Sequence, residues 1–107
     1  MAILRIEHAV ADYAAWKEAF DGDPVGRERS GVRSYRIMRP ADDDRFVLID
    51  LEFDTPEEAE GLLTAMRAVW SRVSGTLIHD PRTRIVESVE TRTFGRLQNS
   101  GQGRSIS

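Results

Sequence analysis

The chain has 107 residues, of which 40% are hydrophobic and 31% are charged, and its formal net charge is -3. This balance is typical of a single globular domain, and a small charge of mixed sign favours neither nucleic acid nor a membrane surface as a partner. No stretch approaches the roughly 20 apolar residues that span a bilayer, and the absence of cysteine excludes disulfides and thiolate chemistry. The first residues lack the pattern of a signal peptide, so a cytoplasmic location is expected.

The first two predicted elements are a strand and a helix. Residues 3–10 alternate between two faces, one of which is mainly apolar, and period two with one apolar face is typical of a strand. Its inward face would carry Leu4, Ile6, His8 and Val10. Asp12 then offers an N-cap, and aromatic residues at helical spacing predict a helix from Tyr13 to about Asp21.

Two further strands follow and are predicted to form a hairpin. β-Branched and aromatic residues predict a strand from Val32 to Arg39, and strict alternation predicts another from Arg45 to Asp54. The acidic run Asp42–Asp44 lies between them, and we expect it to be a solvated turn.

The second half of the chain begins with a strong helix start. Thr55 can cap a helix and Pro56 suits the first helical position. A helix that ends at Gly75 is then predicted by an apolar stripe of Ala59, Leu62, Leu63, Met66, Val69, Trp70 and Val73. A fourth strand is predicted from Thr83 to Phe94.

This order of elements, β-α-β-β-α-β, predicts one α+β domain over residues 1–94 and a polar C-terminal tail over residues 95–107. Two amphipathic helices need an apolar sheet face to cover them, and right-handed crossovers place both helices on the same side. The predicted fold is therefore a ferredoxin-like sandwich, in which a four-stranded antiparallel sheet carries two helices on one face.

The sheet face away from the helices is predicted to mix apolar and charged residues. Phe46 and Leu48 would lie there among the charges of Arg5, Asp50 and Glu52. A second sheet covers such a face well, because ion pairs can surround an apolar patch. We therefore expect a homodimer through the sheet face, the alternative being a monomer with scattered surface hydrophobes.

Several short segments form a diffuse pattern along the chain, namely Val10–Asp21, Arg27 or Arg29, Gly31–Val32, Asp42–Asp44 and Phe53–Ala59. Over about residues 3–94 this pattern resembles the small dimeric α/β-barrel proteins of the antibiotic-biosynthesis-monooxygenase-like group. The resemblance implies a dimer whose two sheets face each other. It also implies a ligand cavity between the sheet and the helices of each subunit.

The activities that the resemblance implies include cofactor-free oxygenases of aromatic polyketides, small isomerases and haem-degrading enzymes. Haem-degrading members use an asparagine on the first strand, whereas the only asparagine here is Asn99 and that strand offers Glu7 and His8. Haem is therefore not expected. Because no phosphate loop, metal signature or nucleophile elbow appears, we expect no metal and no other cofactor.

Six residues are candidates for a site in such a cavity. His8 would be a catalytic base and Tyr35 would steady the resulting anion, while the substrate would contact Trp16, Arg33, Met66 and Trp70. Each residue type also has a structural interpretation. A strand histidine can be satisfied by a backbone carbonyl, tryptophans can pack in the core, and strand arginines can pair with Asp50 or Glu52.

Two functions remain open at this point, and whether the protein is an enzyme is undecided. The first is a cofactor-independent monooxygenase-like enzyme that acts on a small aromatic or polyketide-like compound. It predicts a closed pocket of roughly a few hundred Å³ between sheet and helices. The second is a non-catalytic dimeric module for ligand binding or assembly. His79, beside Asp80 in a predicted turn, is a weaker candidate for chemistry than His8.

Overall fold

A computed structural model describes residues 1–73 and 78–95. Its elements alternate as predicted: β1 (Ala2–Val10), α1 (Tyr13–Asp21), β2 (Ser34–Met38), β3 (Phe46–Phe53), α2 (Pro56–Val73) and β4 (Ile78–Glu87). The predicted helix end at Gly75 lies outside the described residues, as does the predicted tail apart from Gly95. No helix in the described ranges is both long enough and apolar enough to cross a membrane.

The four strands form one antiparallel sheet in the order β2-β3-β1-β4. The two central strands are β1 and β3, and β2 and β4 lie at the edges. This order with one helix in each crossover confirms the ferredoxin-like α+β fold.

The core lies between the sheet and the two helices. Leu4 pairs with Leu51 and Ile6 pairs with Ile49, so that the inward side chains of the central strands form one apolar face. Because side chains alternate along a strand, every second residue of β1 and β3 is buried. The helices close this face with Trp16, Phe20, Ala59, Leu62 and Leu63.

Both helices begin at the residues that the sequence predicts. The backbone N–H of Ala14 donates to Oδ1 of Asp12 at 3.3 Å, which caps α1. At the start of α2 the backbone N–H of Glu58 donates to Oγ1 of Thr55 at 3.2 Å, and the N–H of Thr55 donates to Oε1 of Glu58 at 3.3 Å. This reciprocal pair is a capping box, which satisfies two otherwise unpaired donors.

The predicted bounds of the fourth strand are wrong. The strand runs from Ile78 to Glu87 rather than from Thr83 to Phe94, and His79 lies in the strand rather than in a turn. Pro81 argues against a strand from sequence alone, but β4 is an edge strand, where a proline is tolerated.

A bulge in β4 explains how the strand accommodates that proline. Glu7 pairs with Arg82 and Ala9 pairs with His79, so that Asp80 and Pro81 together oppose His8. Asp80 has a φ of 56°, a left-handed conformation that aspartate adopts more readily than most residues.

The outer face of the sheet is mixed in character, as predicted. Phe46 and Leu48 alternate with Asp50 on β3, and all three are half-buried. The guanidinium of Arg5 donates to both carboxylate oxygens of Asp50 at 2.7 Å, across the β1–β3 pair. Two apolar side chains therefore lie beside a bidentate ion pair on this face.

Candidate functional site

An apolar cavity of about 90 Å³ lies between the sheet and the helices and is partly open to the surface. The closed pocket of roughly a few hundred Å³ that the enzyme hypothesis predicts is therefore not present in this form. The central strands, both helices and the segment after α1 all contribute to its wall. The lining residues are Ile6, His8, Trp16, Ala19, Phe20, Pro24, Val25, Arg27, Ile49, Met66, Val69 and Trp70.

His8 is the buried ionisable residue among those that line this cavity. Alternation along β1 turns it inward with Ile6 and Val10, and only 2% of its surface is exposed. The ring atom Nδ1 lies 3.1 Å from the carbonyl oxygen of Ala9. A carbonyl oxygen can only accept, so Nδ1 carries the proton in this hydrogen bond. The second ring nitrogen, Nε2, is then an acceptor.

Burial determines the charge of His8. Removal from water disfavours the imidazolium and lowers the pKa of His8 below its usual value of 6.5. The hydrogen bond to Ala9 acts in the opposite direction, and the nearby charge of His79 adds to the lowering. His8 is therefore a neutral imidazole near neutral pH, with an unprotonated nitrogen available to accept a proton.

A row of aromatic rings leads from His8 along α1 to β2. The ring centroids of His8 and Trp16 are 5.8 Å apart in an edge-on arrangement, and those of Trp16 and Phe20 are 5.2 Å apart. Phe20 meets Tyr35 edge-on at 5.2 Å. The spacing of four residues between Trp16 and Phe20 places both on the sheet-facing side of α1.

Four of the six candidate residues surround the cavity. His8 comes from β1, Trp16 from α1, and Met66 and Trp70 from α2, where a spacing of four residues puts them on one side of the helix. Met66 and Trp70 are only half-buried, unlike Trp16. The structure therefore brings one imidazole and three large apolar side chains together around a small space.

The other two candidates, Tyr35 and Arg33, do not line this cavity. Both line a separate polar depression of about 520 Å³ beside β2. Tyr35 is on the inward face but 47% exposed, because β2 is a short edge strand. The Nη2 atom of Arg33 lies 2.5 Å from Oδ2 of Asp54, and this ion pair lowers the pKa of Asp54 below its usual value.

Arg27 is the residue that the sequence did not single out for a role. It occurs in the segment between α1 and β2 and lines both the cavity and the polar depression. Its position follows from contacts with Phe20 and Tyr35, which are distant in sequence from one another. A loop arginine carries no periodicity, so only its place in the resemblance pattern, shared with Arg29, could have drawn attention to it.

His79 and the acidic turn stand apart from the cavity. His79 lines a different hollow on the outer sheet face, together with Glu7 and Arg82. All three residues of the turn Asp42–Asp44 are exposed. Within residues 1–73 and 78–95, no group of three or more histidine, aspartate or glutamate side chains is placed to hold a metal ion.

The element order, sheet order and inward cavity define a ferredoxin-like α+β domain, and solved structures share this fold. A variant of SnoaB, a cofactor-independent oxygenase from Streptomyces nogalater, superposes with a TM-score of 0.67 at 14% identity, over 84% of this chain and 94% of that chain. A candidate antibiotic biosynthesis monooxygenase from Nitrosomonas europaea gives a TM-score of 0.62 at 16% identity, over 84% and 100% of the two chains.

A third similar structure is a dimeric ferredoxin-like protein from an uncultured marine organism, with a TM-score of 0.60 at 7% identity, over 87% of this chain and 99% of that chain. No protein-family model and no curated protein matches the chain. The resemblance to the antibiotic-biosynthesis-monooxygenase-like group is thus confirmed for the fold, since identities this low show shared architecture and not shared chemistry.

Proposed function

We infer that the protein is a homodimeric, cofactor-independent monooxygenase-like enzyme that acts on a small aromatic or polyketide-like compound. The observation that carries this proposal is the neutral, buried imidazole of His8 in the wall of an apolar cavity. A hydrogen-bonded Nδ1 and an acceptor at Nε2 are what a general base for a phenolic proton requires.

In the proposed reaction His8 takes the phenolic proton and the electron-rich ring anion then reacts directly with O2. Trp16, Met66 and Trp70 form apolar walls that favour a flat ring and exclude water from the anion. The likeness in fold to SnoaB, which is described as a cofactor-independent oxygenase, supports this class of reaction. Tyr35 would steady a part of the substrate that extends into the polar depression, and Arg33 would contact that part while it stays paired with Asp54.

Substrate entry requires side-chain movement. The cavity holds about 90 Å³, whereas a cavity of about 150 Å³ is known to bind benzene. Met66 and Trp70 are half-buried at the cavity's edge, so they can move outward with less loss of packing than the fully buried Leu4 or Leu51. We therefore assign the entrance to the α2 side of the cavity.

The proposed dimer uses the outer face of the sheet. Phe46 and Leu48 are apolar residues on a face that also holds the Arg5–Asp50 ion pair. Covering this face with a second copy removes the apolar side chains from water while the ion pair stays paired. A similar fold described as dimeric supports this assembly.

Oxygen uptake with a dihydroxynaphthalene tests the proposed activity. One O2 is consumed per substrate, and the products are a hydroxynaphthoquinone and water. We expect the His8→Asn variant to lose about a hundredfold or more of the protein-dependent rate, because a positioned base contributes at least that much. Asparagine keeps a donor near the Ala9 carbonyl but removes Nε2. The matched control is His79→Asn, which changes an exposed histidine outside the cavity and should keep the rate.

A non-catalytic dimeric ligand-binding or assembly module is the second candidate. The small volume of the cavity favours it, because Trp16, Met66 and Trp70 with the other lining residues leave a space of only about 90 Å³. This candidate predicts that the wild type does not accelerate oxygen uptake and that His8→Asn equals wild type. A protein-dependent rate that is lost only in His8→Asn excludes it.

A further inference from the structure

The segment between α1 and β2 places one guanidinium at the boundary of two hollows. Arg27 lines both the apolar cavity and the polar depression beside β2, and its side chain is only 15% exposed. An arginine at such a boundary can bind the polar group of a ligand whose ring lies in the apolar cavity.

Local contacts hold Arg27 in place before any ligand arrives. Its backbone N–H donates to Oδ1 of Asp23 at 2.8 Å, and its Nη1 donates to the carbonyl oxygen of Phe20 at 2.8 Å. The guanidinium carbon lies 3.9 Å from the ring centroid of Phe20 and 5.1 Å from that of Tyr35. The side chain is therefore pre-organised, and little rotamer freedom remains to be lost when a ligand binds.

Most of the donors of this guanidinium are unused within the described ranges. Arginine has five N–H donors, and residues 1–73 and 78–95 provide one hydrogen bond, to the Phe20 carbonyl. The nearest carboxylate oxygen, of Asp23, is 3.6 Å from Nη1, longer than the roughly 2.7–2.9 Å of a charge-assisted hydrogen bond. An anionic oxygen with better geometry can therefore bind without displacing a strong internal partner.

The other charged side chains of the depression leave Arg27 as the arginine that can bind an anionic oxygen. Arg33, the other arginine of the depression, already donates twice to the carboxylate of Asp54. The acids Asp23 and Glu28 also line the depression, so its charge is balanced and no general attraction for anions arises there. Selectivity for an anion would come from the specific geometry at Arg27.

We propose that Arg27 determines the substrate class by binding a carboxylate or phenolate oxygen on an aromatic ligand whose ring lies in the apolar cavity. The site then prefers aromatic anions to neutral aromatics of the same size. This inference rests on the proposed function only in using the same cavity as the ligand site, and it holds whether or not the ligand is oxidised.

Benzoate and benzyl alcohol are the matched probes, since they share a ring and differ in charge. The chain's two tryptophans, Trp16 and Trp70, both line the cavity, so their indole N–H signals in an NMR titration report binding there. We expect wild type to bind benzoate at least about tenfold more tightly than benzyl alcohol. In Arg27→Gln this preference falls to within about twofold, whereas Arg27→Lys retains part of it.

The control is Arg29→Gln, which makes the same change in charge two residues away and should leave the preference intact. Equal binding of the two probes by wild type overturns the role of Arg27 but leaves the cavity as a ligand site. Equal weakening of both probes in Arg27→Gln also overturns it, because the residue then acts only on the shape of the loop. If neither probe moves either indole signal, the inference and the proposed function both fail.

Discussion

His8 is the single residue on which the proposed chemistry depends most. It is a polar side chain buried among apolar ones, and its neutrality comes from burial on the inward face of β1. His79, in contrast, is exposed. The same burial that makes His8 a base near neutral pH must also make the folded state sensitive to acid.

We predict that the free energy of unfolding falls as the pH drops through 6.5, the usual pKa of the unfolded histidine. The pKa of His8 is lower in the folded state, so between the two pKa values the unfolded chain binds more protons. His8 thus contributes stability that is complete above pH 6.5 and is lost below it. The loss is about 1.4 kcal/mol for each unit by which the pKa of His8 differs between the unfolded and the folded state. Denaturant unfolding at a series of pH values measures this.

The matched pair His8→Asn and His79→Asn separates this effect from the titration of other groups. His8→Asn should flatten the dependence of unfolding free energy on pH in this window, whereas His79→Asn should change it only slightly through its charge near His8. An unchanged slope in His8→Asn means that His8 is not desolvated in the folded state.

At the scale of elements, local signals explain the helices well. The capping box of Thr55 and Glu58 opens α2 at the residue that the sequence predicts, and its two hydrogen bonds connect only residues close in sequence. Such signals can be recognised in the sequence without knowledge of the fold, because both partners lie within one turn of the helix.

We predict that Thr55→Ala lowers the free energy of unfolding by about 1 kcal/mol, since it removes the side-chain acceptor of the cap. Thr64→Ala is the control, because Thr64 is an exposed residue within the same helix whose hydroxyl donates to the Glu60 carbonyl. Alanine favours helix more than threonine, so this change should be neutral or slightly stabilising. Equal losses in both variants, measured by denaturant unfolding, contradict a specific role for the cap.

The element that the sequence did not place correctly is β4. Its bounds are set by pairing with β1 and by a bulge in which Asp80 and Pro81 oppose His8. An aspartate followed by a proline is typical of a turn, and only pairing with β1 shows that the chain continues as an edge strand.

The candidate site likewise contains some residues that local sequence patterns identify and others that only tertiary contacts identify. His8, Trp16, Met66 and Trp70 were found from periodicity, which reports the face on which a side chain lies. Tyr35 was expected in the same cavity, but periodicity could not show that an edge strand leaves it in a different hollow. Arg27 lies in a loop, where no period exists, and its contacts with Phe20 and Tyr35 arise only from tertiary packing.

At the scale of the whole molecule, the outer sheet face is the sheet surface that neither α1 nor α2 covers in the described part of the chain. Leu48 lies opposite Glu7 on β1 and opposite Met38 on β2, so two apolar side chains lie beside an acidic one on this face. The bidentate pair of Arg5 and Asp50 adds a satisfied charge to this face. A second copy that covers this face would contact apolar side chains that lie beside charges already paired within each subunit.

We predict that wild type sediments as a dimer at micromolar concentration and that Leu48→Glu sediments as a folded monomer. The new carboxylate would be buried without a partner in the dimer and lies opposite Glu7. Ala65→Glu is the control because it adds the same charge on the exposed side of α2, and it should remain dimeric. A monomeric wild type, or a dimeric Leu48→Glu, contradicts an interface on this face.

The proposal depends most directly on the proton positions of His8, which long-range ¹H–¹⁵N NMR of the imidazole measures. In the free protein at neutral pH we predict a protonated Nδ1, held by the Ala9 carbonyl, and an unprotonated Nε2. Addition of a dihydroxynaphthalene should move the Nε2 resonance toward its protonated range. A protonated Nε2 in the free protein, or an Nε2 resonance that stays in place while the phenol binds, would contradict the role of His8 as the base.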